Sequence, residues 1–298
     1  MDSTTSTVRD FYEAFPYPSG NPEIRTGSDA RFVLSKGALP GLAGRQITVF
    51  DAGCGRGIGL IGAASTQPDI QFLGADINRV ALEEVRREVA ARELENVEVL
   101  ELDLMTLDGL VVPDGGFDVI QSSGVVHHLV DPLAGLTRLR EVLAPHGVMV
   151  LMVYGTLGRL PFDRVTTLVD TLIGRDQPVE ERLNVGRAAV LSLAHAGFGD
   201  PWDTAARVDD VEFVDRYLNL QQESYTIPEL FQLLDSAGLK FADWCVPRDW
   251  SLTSQLPPEL VSIAEQMDVE QQATLIEQVS RPCMLELYAI HKGNMPRQ

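Results

Sequence analysis

The stretch Val49–Gly57 constrains this chain more than any other. An apolar run ends there at Asp51, and glycines follow at alternate positions 53, 55 and 57. Glycine adopts backbone conformations that other residues avoid, and its missing Cβ lets main-chain N–H groups approach a ligand closely. The next residues, Ile58–Ile61, can begin a helix whose N-terminus faces the same place. The stretch therefore predicts a strand, a ligand-binding turn and a helix.

Strand and helix patterns alternate along much of the chain after Gln46, and short connections join them. Segments with strand character are Ile47–Asp51, Gln71–Asp76, Val97–Leu102, Phe117–Ser122, Val148–Val153, Leu239–Val246 and Cys283–His291. Such alternation implies a parallel sheet with right-handed crossovers. The sequence therefore predicts an α/β fold with a seven-stranded, mostly parallel sheet and helices on both of its faces.

A second cofactor class also fits the glycines. Gly57, Gly59 and Gly62 match the Gly-x-Gly-x-x-Gly string of dinucleotide-binding folds. That string belongs in the turn directly after the first strand. Here the strand pattern stops near Asp51, so Gly59 and Gly62 fall inside the helix, where they allow close packing on the sheet. A nicotinamide-dependent reductase is thus the weaker alternative.

Charge and cysteine content limit the classes of binding partner that we expect for this chain. The 298 residues include 43 acidic and 24 basic side chains, a formal charge of −19, which repels nucleic acid and anionic membranes. The three cysteines are far apart and indicate neither a disulfide framework nor a metal site. The N-terminus is polar, and no apolar run is long enough to span a bilayer. We expect a cytoplasmic protein with no metal, nucleic-acid or membrane partner.

Three segments carry a resemblance to a known family. The Asp51–Gly57 loop resembles motif I, Asp-x-Gly-x-Gly-x-Gly, of the class I S-adenosylmethionine-dependent methyltransferases. Phe117–Val153 is similar to the family's Phe-Asp-x-Ile…His-His-Leu…Leu-x-Pro-x-Gly-Gly segment, with His146 where glycine is more usual, and Tyr225–Leu239 is similar to bacterial small-molecule members. The resemblance implies a Rossmann-like fold with a helical lid insertion, a last strand in an antiparallel hairpin, and S-adenosylmethionine as cofactor.

The resemblance also implies cofactor-binding residues at successive strand ends. Asp76 would accept hydrogen bonds from the ribose hydroxyls, and Asp103 would accept one from the adenine amino group, beside the main-chain N–H of Leu104. The alternative for Asp76 is to cap the helix at Arg79, a role that Asn78 could also fill. The expected set is Asp51, Gly53, Cys54, Gly55, Gly57, Asp76, Ile77, Asp103, Leu104, Ser122, Ser123, Tyr12 and Tyr17.

The two tyrosines in that set come from the N-terminal segment. Prolines at 16 and 18 make Phe15–Gly20 extended or turned. The segment resembles the Phe-Tyr…Pro-Tyr-Pro stretch of some bacterial methyltransferases, which implies a flap that places Tyr12 and Tyr17 over the cofactor. Packing of the aromatic rings on the domain surface is the alternative.

Candidates for catalysis are few. His127 and His128 follow the fourth strand, and an ordinary histidine pKa near ~6.5 suits proton removal. Consecutive residues cannot easily share one metal on a helix, and no ligand set accompanies them. Tyr225 is the third candidate base. The alternative for the histidines is an orienting or packing role.

The acceptor site is expected in the region that matches the family least. We predict four regions: an N-terminal helix and flap at 1–45, a cofactor-binding core at 46–154, a mainly helical lid at 155–225 and a completion of the sheet at 226–298. Acceptor contacts are expected from Tyr154, Tyr217, Asn219 and Gln222. The alternative is a lid in which Trp202 and Tyr217 are packing anchors.

The predicted activity is methyl transfer by in-line displacement to an O, N or C nucleophile of a small molecule, with a natural product or small peptide as examples. In-line alignment needs positioning more than covalent help. A catalytically silent S-adenosylmethionine-binding module is the main alternative, and a protein acceptor stays open.

Overall fold

A computed structural model describes residues 3–15, 17, 27–37, 46–195, 209–219 and 221–294. One seven-stranded sheet organises this part of the chain, in the order β3-β2-β1-β4-β5-β7-β6. The strands are β1 Thr48–Ala52, β2 Gln71–Asp76, β3 Val97–Glu101, β4 Phe117–Ser123, β5 Leu143–Tyr154, β6 Leu239–Trp244 and β7 Met284–His291. The predicted α/β fold is confirmed.

The strand directions place the site. Strands β3, β2, β1, β4 and β5 run parallel, and β7 pairs antiparallel with both β5 and β6. Asp51 lies beside Gly74 on one side and Gln121 on the other. The carboxyl ends of β1, β2 and β4 therefore meet at one edge, and the loops that follow them form the floor of one cleft.

Helices cover both faces of the sheet. Their bounds are α1 Ser3–Ala14, α2 Ala30–Leu34, α3 Ile58–Thr66, α4 Arg79–Ala91, α5 Pro132–Val142, α6 Thr156–Ile173, α7 Val179–His195, α8 Asp210–Phe213, α9 Ile227–Ser236, α10 Leu252–Gln255, α11 Pro258–Ala264 and α12 Val269–Ser280. A π-helical turn, Val214–Leu218, follows α8 directly.

Alternation along β1 divides the core. Phe50 packs with Leu136 of α5 and Leu230 of α9 on one face, whereas Val49 packs with Leu60 of α3 on the other. Successive side chains of a strand point to opposite faces, so each face needs its own helical layer. Burial of these side chains on both faces is the main stabilising contribution to the core.

The lid has an apolar core of its own. Phe162 and Val169 of α6 pack with Phe213 and Tyr217, and Phe11 of α1 contacts this cluster. The chain leaves the sheet at Gly155 and comes back beside it, because Gly155 and Tyr225 form a parallel bridge. The helical lid that the resemblance implied is present within the described residues.

Most strand bounds differ from the sequence prediction by one or two residues, and β5 differs by more. Helix α6 contains Pro161 in its interior, so one main-chain N–H is missing there without ending the helix. Strand β5 begins at Leu143 rather than Val148, because Leu143 pairs with Phe117 across an irregularity in the ladder. The predicted flap lies mostly outside the described residues, as does Trp202.

His146, the departure from the family's glycine, has a partner at the amino edge of the sheet. Its Nε2 lies 2.7 Å from Oδ1 of the fully buried Asp118. Oδ2 of the same carboxylate accepts a hydrogen bond from the Thr48 N–H at 2.8 Å. The pair joins β1 and β4 to the first part of β5 on the side opposite the cleft.

Candidate active site

The glycine loop after β1 is held by the neighbouring strand. The main-chain N–H groups of Gly53 and Cys54 both donate to the Ala75 carbonyl of β2, at 2.8 and 2.9 Å. Gly53, Gly55 and Gly57 all have positive φ, at 89°, 52° and 71°. This is the left-handed region that favours glycine. Helix α3 begins immediately afterwards, with Gly57 at its N-cap.

The free space around the loop differs between Gly53 and Gly55. A Cβ on Gly53 would lie 2.3 Å from a methyl group of Val125, whereas the one described atom within 4 Å of a Cβ on Gly55 is the Tyr17 carbonyl oxygen, at 3.9 Å. The loop is therefore packed from below at Gly53 and open at Gly55. Gly55 is the place where a bound group can come closest to the backbone.

Asp76 connects β2 to this loop. Its Oδ2 accepts from the Gly55 N–H and its Oδ1 from the Asn78 N–H, both at 2.8 Å. Burial raises the pKa of Asp76, and these amides oppose that shift. A carboxylate has about four acceptor positions, so two remain for a diol. The capping role belongs to Asn78, whose side chain accepts from the Ala81 N–H at 3.0 Å.

Asp51 is the second buried acid at this edge. Burial and the nearby Asp76 raise the pKa of Asp51 from its usual 3.8 to about 7. Burial also raises the pKa of the Cys54 thiol well above its usual value. Two neighbouring buried carboxylates favour a cationic ligand, because it relieves both desolvation and mutual repulsion.

The other expected cofactor residues are placed differently. Asp103 is half-buried and its carboxylate accepts from the Met105 N–H at 2.9 Å, while Leu104 is 6% exposed. Ser122 is fully buried and its hydroxyl donates to the Ala52 carbonyl at 3.1 Å. The structure thus corrects the expectation for the Ser122 side chain, which joins β4 to β1. Ser123 is exposed and Ile77 half-buried.

Helix α1 lies against the cleft through Tyr12. The Asn78 side chain donates to the Tyr12 carbonyl at 2.8 Å. The Tyr12 hydroxyl donates to Asp215 Oδ1 at 3.0 Å and accepts from Asn219 Nδ2 at 3.0 Å. One tyrosine therefore contacts both the cofactor edge and the lid. Asp215, which the sequence prediction missed, lies in the π-helical turn after α8.

The two histidines have different surroundings. The Nδ1 atom of His128 lies 2.7 Å from the Gln221 carbonyl, which can only accept, so Nδ1 carries the proton and Nε2 the lone pair. That Nε2 is 3.4 Å from the Tyr12 hydroxyl. Burial lowers the pKa of His128 to about 4 and that of His127 well below its usual value. Both rings are neutral near pH 7.

His127 is fully buried, and within the described ranges neither of its ring nitrogens has a hydrogen-bond partner. Its ring centroid lies 4.0 Å from that of Tyr154, at the end of β5. The Arg159 guanidinium also contacts Tyr154, 4.2 Å from the ring centroid. A buried polar group without a partner is uncommon in proteins, and this one lies under the lid.

The expected acceptor contacts separate into two groups. Asn219 contacts Tyr12 and Gln222 contacts Arg159, so both reach the polar groups around the two histidines. Tyr217 does not, which corrects its predicted role: it is 1% exposed and its ring packs against Phe162 and Phe213. The alternative of a packing anchor is the one observed.

Tyr225 is a poor base in this arrangement. Its hydroxyl donates to Glu223 Oε2 at 2.9 Å, and burial together with Glu223 raises its pKa. A phenol that is hard to ionise and already bonded to a carboxylate does not accept a substrate proton. Its main chain instead pairs with Tyr154 and Thr156 and ends the lid.

The site's arrangement agrees with a family match. Residues 44–179 match the family model described as a methyltransferase domain, and this range contains the glycine loop and Asp76. We identify this range as similar to a methyltransferase domain. The space above Gly55, beside the carboxylates of Asp51 and Asp76, would fit the adenosyl sulfonium of S-adenosylmethionine.

Relatives and solved structures agree on the fold. An uncharacterised protein of Synechococcus is 28% identical over 258 residues, 80% of this chain and 60% of that protein. An uncharacterised methyltransferase of Schizosaccharomyces pombe is 29% identical over 102 residues, 33% of this chain and 37% of that protein. The structure of PKMT2 from Rickettsia typhi in complex with AdoHcy has a TM-score of 0.75 and 17% identity, covering 94% of this chain and 56% of that one.

The chain thus spans 60% of the Synechococcus protein and 56% of the Rickettsia typhi chain. The solved structure shares the Rossmann-like fold of the sheet and its flanking helices. Within the described ranges, no helix is long and apolar enough to cross a membrane. No group of three or more metal-ligating side chains is found in the same ranges.

Proposed function

We propose that this chain transfers the methyl group of S-adenosylmethionine, by in-line displacement, to an O, N or C nucleophile of a small molecule or small peptide. The observation that carries the proposal is a polar cluster at the cleft, in which the two histidines and Asp215 are buried and the two tyrosines half-buried. We call it the acceptor cluster and define it as Tyr12, His127, His128, Tyr154 and Asp215. It lies between the lid, α1 and the ends of β4 and β5.

The acceptor cluster borders the cofactor edge through Tyr12. The Tyr12 carbonyl accepts from Asn78 at 2.8 Å, two residues beyond Asp76. Asp76 would bind the ribose, with Asp51 facing the cationic part of the cofactor and Asp103 and Leu104 the adenine. Tyr17, whose carbonyl is the nearest neighbour of the Gly55 position, would cover the loop. A group bound in the cluster would therefore lie beside the cofactor.

S-adenosylmethionine supplies an activated methyl group, so this chain needs chiefly to align the acceptor with it. Alignment of the reacting atoms can contribute about 7–11 kcal/mol to lowering the barrier. Helix α1 and the lid exclude water from the cluster. The lone pairs of His127 and of His128 Nε2 can take a proton from an acceptor that arrives protonated, and the low histidine pKa values make that base weak.

A small acceptor is favoured by enclosure and charge. Tyr12, Asp215 and Asn219 close the cluster by hydrogen bonds between α1 and the lid. The overall charge of −19 disfavours nucleic acid and anionic membranes. The cytoplasmic location remains a prediction, as do the four regions 1–45, 46–154, 155–225 and 226–298.

Calorimetry with S-adenosylmethionine and S-adenosylhomocysteine tests the cofactor part, and binding of both is expected. A methyl-labelled cofactor, incubated with the filtrate and the protein retentate of a bacterial lysate, tests the acceptor class. We expect label in the small molecules of the filtrate. Label only in the retentate would replace the small acceptor by a protein, and binding without any transfer would leave a silent cofactor-binding module.

Two variants separate the candidate bases. His127→Asn removes the unpartnered ring, and His128→Asn removes the ring whose Nδ1–H donates to the Gln221 carbonyl. If either histidine takes the proton, its variant lowers the rate of transfer by about 10²–10⁴-fold while S-adenosylhomocysteine affinity is unchanged. Equal, small losses in both would assign the pair an orienting role.

A further inference from the structure

Arg159 is a buried cation without a carboxylate at ion-pair distance in the described part of the chain. Its charge opposes the rise in the pKa of Asp163 and of Asp215, so these two acids lie near it without pairing with it. It lies in the first turn of α6, directly after β5, and is 3% exposed. Other arginines that lie partly or fully inside the fold have acidic partners: Arg56 pairs with Glu84 at 2.5 Å, Arg182 with Asp170 at 2.5 Å and Arg216 with Glu212 at 3.1 Å. No described carboxylate lies within ion-pair distance of Arg159.

The contacts of Arg159 leave part of its donor fork free. Nη2 donates to the Arg216 carbonyl at 2.7 Å and to Gln222 Oε1 at 3.3 Å. Nε and Nη1 have no hydrogen bond to the part of the chain that the structure describes. Neither atom is among the fully buried nitrogens without a partner in the described residues, such as those of His127. Both atoms therefore keep contact with open space.

The position of the guanidinium is well fixed. It lies 4.2 Å from the Tyr154 ring centroid and 4.4 Å from that of Phe162. Gly158, the preceding residue, has no room for a Cβ, which would lie 2.4 Å from the main chain of Pro282. Helix α6 is therefore pressed against the segment before β7, and the arginine cannot easily turn away.

Leaving this charge unpaired is costly, because burial of an unpaired ion is strongly unfavourable. The chain has 43 acidic residues to 24 basic ones, so a compensating carboxylate is not scarce. The nearest acid in the cluster, Asp215, bonds to Tyr12 instead. A buried cation that is preorganised, partly unsatisfied and accessible has the properties of an anion-binding site.

We propose that Arg159 binds the carboxylate of a monoanionic methyl acceptor through its free Nε and Nη1. This inference rests on the proposed function and names the acceptor class. One positive charge matches one negative charge, and the neighbouring Asp215 disfavours a phosphate dianion. Tyr154 contacts both Arg159 and His127, so an anchored acceptor extends its nucleophile towards the histidine and the cofactor edge.

The test uses the full chain saturated with S-adenosylhomocysteine, with benzoate and phenylacetate as probes and their neutral amides for comparison. We expect each carboxylate to bind at least tenfold more tightly than its amide. Arg159→Gln should abolish this preference, and Arg159→Lys should retain part of it, because charge remains without the fork. Arg164→Gln removes the same charge from the exposed side of the same helix and should leave the preference intact.

S-adenosylhomocysteine affinity reports on folding and on the proposed function separately. If the parent chain does not bind it, the proposed function fails. If it binds in the parent and in Arg159→Gln, three results would overturn the assignment of Arg159 alone: no carboxylate preference, an equal loss in Arg164→Gln, or tighter binding of phenyl phosphate than of benzoate.

Discussion

The Tyr12 hydroxyl donates a hydrogen bond to Asp215 Oδ1 at 3.0 Å, across 203 residues of sequence. The two side chains belong to α1 and to the π-helical turn of the lid. Asp215 is 7% exposed, and burial raises its pKa while the Tyr12 bond lowers it. This bond, with that from Asn219 to the same hydroxyl, joins the N-terminal helix to the lid above the cleft.

Tyr12→Phe should destabilise the protein by about 1–3 kcal/mol, because it leaves a buried carboxylate without this donor. It should also speed dissociation of the cofactor. Urea unfolding and stopped-flow release measure the two effects. Asp108→Asn, at an exposed loop position, is the control. In a double-mutant cycle with Asp215→Asn, strictly additive effects would show that the two side chains do not interact.

The glycine loop offers a matched pair of substitutions. Gly53→Ala should impair folding, because its Cβ would lie 2.3 Å from Val125. Gly55→Ala meets open space and adds only backbone strain at φ 52°, of order ~1–3 kcal/mol. We expect a folded Gly55 variant with strongly reduced cofactor affinity, measured by calorimetry. Gly55→Val should abolish binding, and full affinity in these variants would move the cofactor away from this loop.

Asp51 should make cofactor binding and stability depend on pH. Its folded pKa of about 7 exceeds its usual 3.8, so the folded state binds more protons between these values. The free energy of unfolding from this group therefore falls as pH rises through that window, and the whole penalty persists above it. Ionised Asp51 attracts the sulfonium, so S-adenosylmethionine affinity should rise over the same range.

Asp51→Asn should remove both effects. Thermal unfolding of the unliganded chain at pH 8 should show stabilisation of order ~1–3 kcal/mol, and calorimetry should show weaker S-adenosylmethionine binding without the rise in affinity. Asp108→Asn, at an exposed loop position, should change neither. A variant that is less stable than the parent at pH 8 would contradict the desolvation of Asp51.

The Asp118–His146 pair should affect stability alone. His146→Ala leaves the buried Asp118 without one partner, which costs about 1–3 kcal/mol. Because the pair lies at the amino edge of the sheet, cofactor affinity should stay unchanged. Urea unfolding and calorimetry measure the two quantities, and a large loss of affinity would show that the two edges are coupled.

The positions of the glycine loop and of Asp76 were predictable because their signals are local. A glycine loop after a strand, and Asp76 at the end of the next one, occupy positions that parallel pairing brings together whatever the rest of the chain does. Strand alternation separates Ser122 from its neighbours, because the side chains of Gln121 and Ser123 lie on the opposite face of the sheet. The Ser122 hydroxyl instead donates to the Ala52 carbonyl of β1.

The acceptor side was less accessible to sequence reasoning. Tyr217 and Asn219 are two residues apart, yet one is packed in the lid core and the other bonds Tyr12. Their difference follows from the π-helical turn, which periodicity does not reveal. The roles of Arg159 and Asp215 depend on which side chains, distant in sequence, lie beside them in the fold. The one signal for Arg159 was a basic residue in the first helical turn after β5.

The parallel bridge between Gly155 and Tyr225 joins the two ends of the segment between them, so this segment leaves the sheet and returns to it at the same place. The length of this segment does not strain β5, because the bridge holds its two ends together whatever the number of residues between them. Evolution can therefore lengthen, shorten or exchange that segment, and so change the side chains above the cleft, while the glycine loop and Asp76 keep their positions at the ends of β1 and β2.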